Sequence, residues 1–99
     1  MSTLPSFESR LFLIEGQVQG VGYRDHCAEQ ARRLHLAGWV RNRRDGSVEL
    51  MLQGPAGVLD QTEAWLRAGP RWAHVERVTQ KLLPASTAAL DRFERRPTE

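Results

Sequence analysis

RLFLIEGQVQGVGYRDHCAEQARRLHL, residues Arg10 to Leu36, reads without interruption as a strand, a loop and a helix. The opening RLFLIEG, Arg10 to Gly16, is apolar, carries Phe12 and Ile14, and predicts a short central strand. In QVQGVGY, Gly20 and Gly22 permit backbone conformations that a residue with a Cβ resists, so a tight loop is expected there. From Tyr23 the period changes. Cys27, Ala31 and Leu34 fall at i, i+4, i+7, while Glu29, Gln30, Arg32 and Arg33 lie elsewhere around the cylinder, the pattern of an amphipathic helix. Asp25 in its first turn and Arg32, Arg33 and His35 near its end suit the helix dipole, and Gly38 marks the expected exit.

Downstream, Trp39 and Val40 lead a second strand and the Asp45-Gly46 pair signals a hairpin. Ser47 to Gln53 then alternates Val48, Leu50 and Leu52 against Glu49, Met51 and Gln53, which predicts a third strand with one buried face. Gly54-Pro55 is expected to break it. Val58, Leu59, Thr62, Trp65 and Leu66 form the inner stripe of a second helix closed by Gly69-Pro70. Val75, Val78 and Leu82 mark a fourth strand, and Pro84, Ala85 and Ser86 begin a connection to a short last strand near Leu90 to Glu94. Strand, helix, strand, strand, helix, strand is the split βαβ order. It predicts an α+β, ferredoxin-like βαββαβ sandwich with an antiparallel sheet and two helices on one face.

At 99 residues the chain has material for one domain, expected over residues 9–96, with a frayed segment over residues 1–8. The net charge is only +2 and Lys81 is the sole lysine, too mild a bias for a nucleic-acid stripe but compatible with a small anionic ligand. No apolar run suits a membrane span and the first ten residues lack the features of a secretory signal, so the expectation is a cytoplasmic protein without a membrane partner. Cys27 is the lone cysteine, so no internal disulfide is expected. Cys27 reads as core, His35 as surface and His26 as an exposed helix residue. With His26 and Cys27 facing different directions and His74 in a loop, no metal site is predicted. Trp39, Trp65 and Trp72 read as packing residues.

A strand that enters a glycine-bearing loop and then a helix delivers several free N–H groups to one point, at the positive end of the helix dipole. Gln19, Gly20, Val21, Gly22 and Tyr23 can therefore cradle an anion with main-chain donors, and Arg24 adds a forked, permanent positive charge suited to phosphate. Taken alone, two glycines before an arginine also describe a plain turn and a helix-surface arginine. Asn42, ahead of Arg43-Arg44-Asp45-Gly46, also suits a turn.

The fuller strings decide between these readings. GQVQGVGYR from Gly16 to Arg24, GWVRNRRDGSVE from Gly38 to Glu49, and QGP from Gln53 to Pro55 together resemble the acylphosphatase family over about Phe12 to Val78. The resemblance implies the ferredoxin-like fold and hydrolysis of the carboxyl-phosphate bond of a small acylphosphate, releasing inorganic phosphate, without metal or other cofactor. It implies catalytic roles for Arg24, which holds the phosphate, and Asn42, which orients the water, with Gln19, Gly20, Val21, Gly22, Tyr23 and Arg24 binding phosphate. A monomer without a nucleic-acid partner is expected. The family pattern is less well kept at the last strand, where Phe93 precedes Glu94, Arg95 and Arg96, and the Arg43-Arg44 turn is unusually basic. The alternatives are a non-catalytic phosphate- or RNA-binding module of the same fold, and carbamoyl-phosphate hydrolysis. SVELMLQ carries no aromatic on which bases could stack, which weighs against an RNA reader.

Overall fold

Phe12 and Ile14 lie on one face of strand β1 (Phe7–Gln17), and both are completely buried. The computed structural model that places them describes residues 7–99. Of the segment expected to fray, residues 1–6 lie outside the described residues, while Phe7 and Glu8 pair with Pro55 and Gly54. The remaining elements are α1 (Tyr23–Arg33), β2 (Ala37–Asn42), β3 (Val48–Pro55), α2 (Ala56–Leu59), α3 (Thr62–Ala68), β4 (His74–Leu82) and β5 (Phe93–Arg95). Sheet order is β4-β1-β3-β2-β5. The pairs β1–β3, β1–β4 and β2–β3 are antiparallel, and β5 joins the β2 edge in parallel. The expected ferredoxin-like sandwich is present, with a mixed rather than purely antiparallel sheet.

The core lies between the sheet and the helices. Phe12, Ile14, Val40, Leu50 and Leu52 from the strands meet Tyr23, Cys27 and Ala31 of α1, Leu59 of α2 and Leu66 of α3. Each of these side chains removes enough apolar surface to contribute about 1.5 to 3 kcal/mol relative to exposure, the smaller ones less. This single layer of burial fixes α1 across β2, β3 and β5.

Several local expectations are corrected. The exit of α1 is not at Gly38 but at His35, which takes a left-handed φ of 57. There the Leu36 N–H donates to Ala31 O at 2.8 Å and the His35 N–H to Arg32 O at 3.1 Å, the paired bonds that close a helix around a left-handed residue. Gly38 lies inside β2 at φ +145, where a Cβ would sit 1.9 Å from Met51 O. It is a close-packing glycine rather than a helix stop.

Strand β3 does not break at Gly54 but runs through Pro55, and Met51 and Gln53 are buried along with the apolar set. The reason is the chain after β4, which folds over that end of the sheet. Gln53 Nε2 donates to Ser9 Oγ at 3.1 Å and to Ala88 O at 2.8 Å, and Gln53 Oε1 accepts from the Leu90 N–H at 2.7 Å. A glutamine that appears solvent-facing in the alternation is instead a fully partnered clamp.

The second helix is two helices. Around Asp60 and Gln61 the backbone stays near helical angles, but the Gln61 N–H donates to Val58 O at 3.1 Å, a tighter i−3 bond that divides α2 from α3. The inner stripe survives the break, with Leu59, Thr62 and Leu66 buried. Trp72 is not a packing residue: it is 73% exposed, lying beside the Arg71 guanidinium. His26 is half-buried rather than exposed, between Tyr23 and Trp65, with Nε2 3.2 Å from Trp65 O. Cys27 and His35 sit in core and on the surface as read.

Candidate active site

The loop between β1 and α1 is shaped by two left-handed glycines, Gly20 at φ 76 and Gly22 at φ 79, with open space around both. Gly22 is the N-cap and makes no side-chain cap, so the helix opens with its donors bare. Among the described residues, no main-chain N–H from Gln19 through Asp25 is engaged; the next, His26 N–H, donates to Gly22 O at 3.0 Å. Such a run of unengaged donors at the positive end of an eleven-residue helix attracts an anion.

A cavity of about 170 Å³ opens onto this loop, lined by Val18, Gly20, Gly22, Tyr23, Arg24, Asp25, Asn42 and Arg95. Arg24 is half-buried, and among the described residues no carboxylate lies within 4.0 Å of its guanidinium. Its charge and its planar fork of donors are therefore available to a ligand. Asn42 arrives from the opposite side at the end of β2, two residues after fully buried Val40 on the same face of the strand. Its Oδ1 is buried without a partner among the described residues, and such an acceptor gains most from a bound water or hydroxyl.

Gln19 joins the two halves. Its Nε2 donates to Arg43 O at 2.7 Å and to Ser47 O at 2.8 Å, which ties the loop to the hairpin that begins just beyond Asn42. The Gln19 side chain is thus committed to the scaffold and only its N–H is left for an anion. The far side of Asn42 is held by the end of the chain: the Glu99 N–H donates to Asn42 O at 3.0 Å, the Arg44 N–H to Glu99 O at 3.1 Å, and Glu99 Oε2 is 2.6 Å from Arg41 Nη1.

Tyr23 likewise offers only its main chain. Its hydroxyl donates to Leu66 O at 2.6 Å, and burial first, with the nearby Cys27 second, holds the phenol well above its ordinary titration range. Burial also pushes the Cys27 thiol up, so that side chain stays protonated in the core and supplies no nucleophile. Val21 contributes its backbone while its side chain packs against the core.

Of the predicted residues, Gly20, Gly22, Tyr23, Arg24 and Asn42 line one cavity; Gln19 and Val21 sit in the same loop outside the lining. Three lining residues lie outside the set expected from sequence: apolar Val18 and the charged pair Asp25 and Arg95. Arg95 on β5 is in contact with Asp25 through an Nη1 to Oδ1 ion pair, and both face the cavity. In sequence Asp25 is explained by the helix dipole alone, and Arg95 falls just past the last strand expected near Leu90 to Glu94, which the structure shifts to Phe93–Arg95.

Comparison with known proteins places the family and the fold. The profile of the family described as Acylphosphatase matches residues 11–95. The chain is similar to an acylphosphatase of Polaromonas naphthalenivorans, 50% identical over 93% of this chain and 91% of the relative. Two solved structures share the fold. An acylphosphatase from Coxiella burnetii is 29% identical with a TM-score of 0.86 over 96% of this chain and 100% of the other. One from Bacillus subtilis is 30% identical with a TM-score of 0.84 over 90% and 97%.

Proposed function

The chain belongs to the acylphosphatase family and is an acylphosphatase, and from that premise we propose how its residues perform the hydrolysis. Arg24 and the main-chain N–H groups of Gln19 through Tyr23 bind the phosphoryl group of an acylphosphate. Asn42 holds a water in line with the carboxyl-phosphate bond. Water attacks phosphorus, the bond to the acyl oxygen breaks, and carboxylate and inorganic phosphate leave.

The observation that carries this reading is the meeting at one cavity of the loop with its bare N–H groups, an Arg24 guanidinium with no ion-pair partner among the described residues, and Asn42, whose buried Oδ1 has no partner there either. Negative charge on the phosphoryl oxygens is met by donors already in place, the kind of preorganised array whose single members contribute about 3 to 4 kcal/mol to a transition state. A carboxylate is a good leaving group, so a positioned water suffices as nucleophile and no base stronger than a carboxamide is required. The same reading makes catalysis metal-independent. The one carboxylate of the cavity lining is engaged by Arg95, and the other polar side chains there are the two guanidiniums, the Asn42 amide and the Tyr23 phenol, which is bonded to Leu66 O.

The deciding experiment is hydrolysis of benzoyl phosphate with and without EDTA, for wild type, Arg24→Ala and Asn42→Ala. Activity that survives chelation but collapses in both variants supports the assignment. Full activity in Asn42→Ala removes its water-orienting role, and loss of wild-type activity on chelation removes the metal-free one.

A further inference from the structure

The two guanidiniums of the cavity differ in standing. Arg24 has no ion-pair partner among the described residues, whereas Arg95 reaches the same cavity while bound to Asp25. Resting on the phosphate-binding reading above, we propose that Arg95 is a specificity-determining residue: with Asp25 it forms the rim that meets the acyl part of the substrate, and it favours acyl groups that carry a carboxylate of their own.

Size and burial separate floor from rim. The cavity is small, about 170 Å³, and open to solvent, so an acyl chain attached to a phosphoryl group held by the loop extends toward its mouth. Val18 and Tyr23 in the lining are each only 1% exposed, so the acyl group cannot extend past them. The side chains of Asp25 and Arg95 are 69% and 46% exposed, and they are the only charged lining residues at the open side besides half-buried Arg24.

Charge then decides what the rim accepts. Asp25 alone would repel every anion approaching the mouth. Arg95 cancels that repulsion, and because Nη1 is the atom engaged, the rest of its five-donor fork remains for a second carboxylate. It is also held on a rigid element. Arg95 lies opposite Val40 in the parallel β2–β5 register, two residues before the level of Asn42, and β5 is anchored by buried Phe93 and by the Arg96 N–H donating to Val40 O at 2.8 Å.

The test compares kcat/KM for succinyl phosphate, whose acyl group is anionic, with that for benzoyl phosphate, whose acyl group is neutral. Wild type, Arg95→Ala, Arg95→Lys and Asp25→Asn are measured at low and high salt. Arg95→Ala is expected to lower the succinyl-to-benzoyl ratio about tenfold and Asp25→Asn to raise it about threefold, both differences shrinking with salt as exposed charges do. Arg95→Lys keeps the charge and recovers part of the ratio. Opposite signs in the two variants cannot arise from loss of a shared structural pin. Equal effects on both substrates, or an unchanged ratio, overturn the proposal, while failure of wild type to hydrolyse benzoyl phosphate at all instead overturns the underlying site assignment.

Discussion

The Gln19 side chain bridges to the main-chain oxygen of Ser47 at 2.8 Å, and through the same nitrogen to that of Arg43, so the loop before α1 and the Asn42 hairpin are tied together. Asn42 pairs with Val48 at the last step of the β2–β3 ladder, where a hairpin would otherwise fray. The distance between the loop's donors and the Asn42 carboxamide therefore depends on a side chain whose own donor is spent on two carbonyls of the scaffold.

Gln19→Leu, which keeps bulk but cannot donate, is expected to cost about 2 kcal/mol of stability for two lost hydrogen bonds. It should also lower kcat about tenfold through misplacement of Asn42, with a smaller effect on KM, because the N–H groups and Arg24 still grip phosphate. Urea unfolding and benzoyl phosphate kinetics check both parts. A stability loss with unchanged kcat would leave Gln19 a purely structural clamp.

Arg24 and Asn42 separate by what they touch. Arg24→Ala is expected to reduce kcat/KM about a hundredfold or more and to weaken inhibition by inorganic phosphate, since binding and charge compensation disappear together. Asn42→Ala should show a comparable fall carried by kcat, with phosphate inhibition retained. Competitive inhibition constants measured beside the kinetics distinguish the two patterns. Loss of phosphate inhibition in Asn42→Ala would mean that the carboxamide binds phosphate rather than water.

The sequence was legible where one local rule governs a residue. Phe12, Ile14, Val40, Leu50 and Leu52 repeat at the strand period and all are buried, and Cys27 and Ala31 repeat at the helix period with the same result. The loop site was legible because glycines, helix start and arginine are neighbours in sequence. What escaped depends on distant partners. Gln53 is buried because Ala88 and Leu90 reach it, His35 adopts φ 57 because Ala31 and Arg32 bond past it, and Arg95 joins the cavity because β5 docks parallel to β2. None of those relations leaves a periodic trace. The glycine at position 38 was read as punctuation, when its cause is an approach to Met51 across the ladder.

Two glycines on opposite sides of Asn42's environment make contrasting predictions. In Gly38→Ala the new Cβ would fall 1.9 Å from Met51 O and 2.8 Å from Met51 C, backbone atoms at the centre of a ladder that cannot yield cheaply. A loss of about 3 kcal/mol or more is expected, with poor expression or a lowered Tm. Gly22→Ala meets nothing within 4 Å and suffers only the left-handed backbone penalty of about 1 kcal/mol. It should stay folded while phosphate affinity and kcat fall. Circular dichroism melts set against phosphate titrations test the contrast, and a Gly38→Ala protein as stable as wild type would contradict the packing account.

Alkaline pH probes the core beneath the site. Burial raises the titration of both Cys27 and Tyr23 in the folded chain above their ordinary values of 9.0 and 10.0. As pH climbs past 9 the unfolded chain therefore loses these protons first, the folded chain holds more, and stability falls, by at most about 1.4 kcal/mol per pH unit for each group. Well below pH 9 both groups stay protonated in either state and neither contributes a slope. Cys27→Ala should flatten the thiol's share of the decline starting near pH 9, and Tyr23→Phe the phenol's share starting near pH 10, whatever each substitution does to stability at neutral pH. Urea unfolding at intervals from pH 7.5 to 11 reads those slopes directly. If both variants decline in parallel with wild type, the alkaline loss comes from other groups, and the protonated Tyr23–Leu66 bond that seats the first turn of α1 is not what high pH removes.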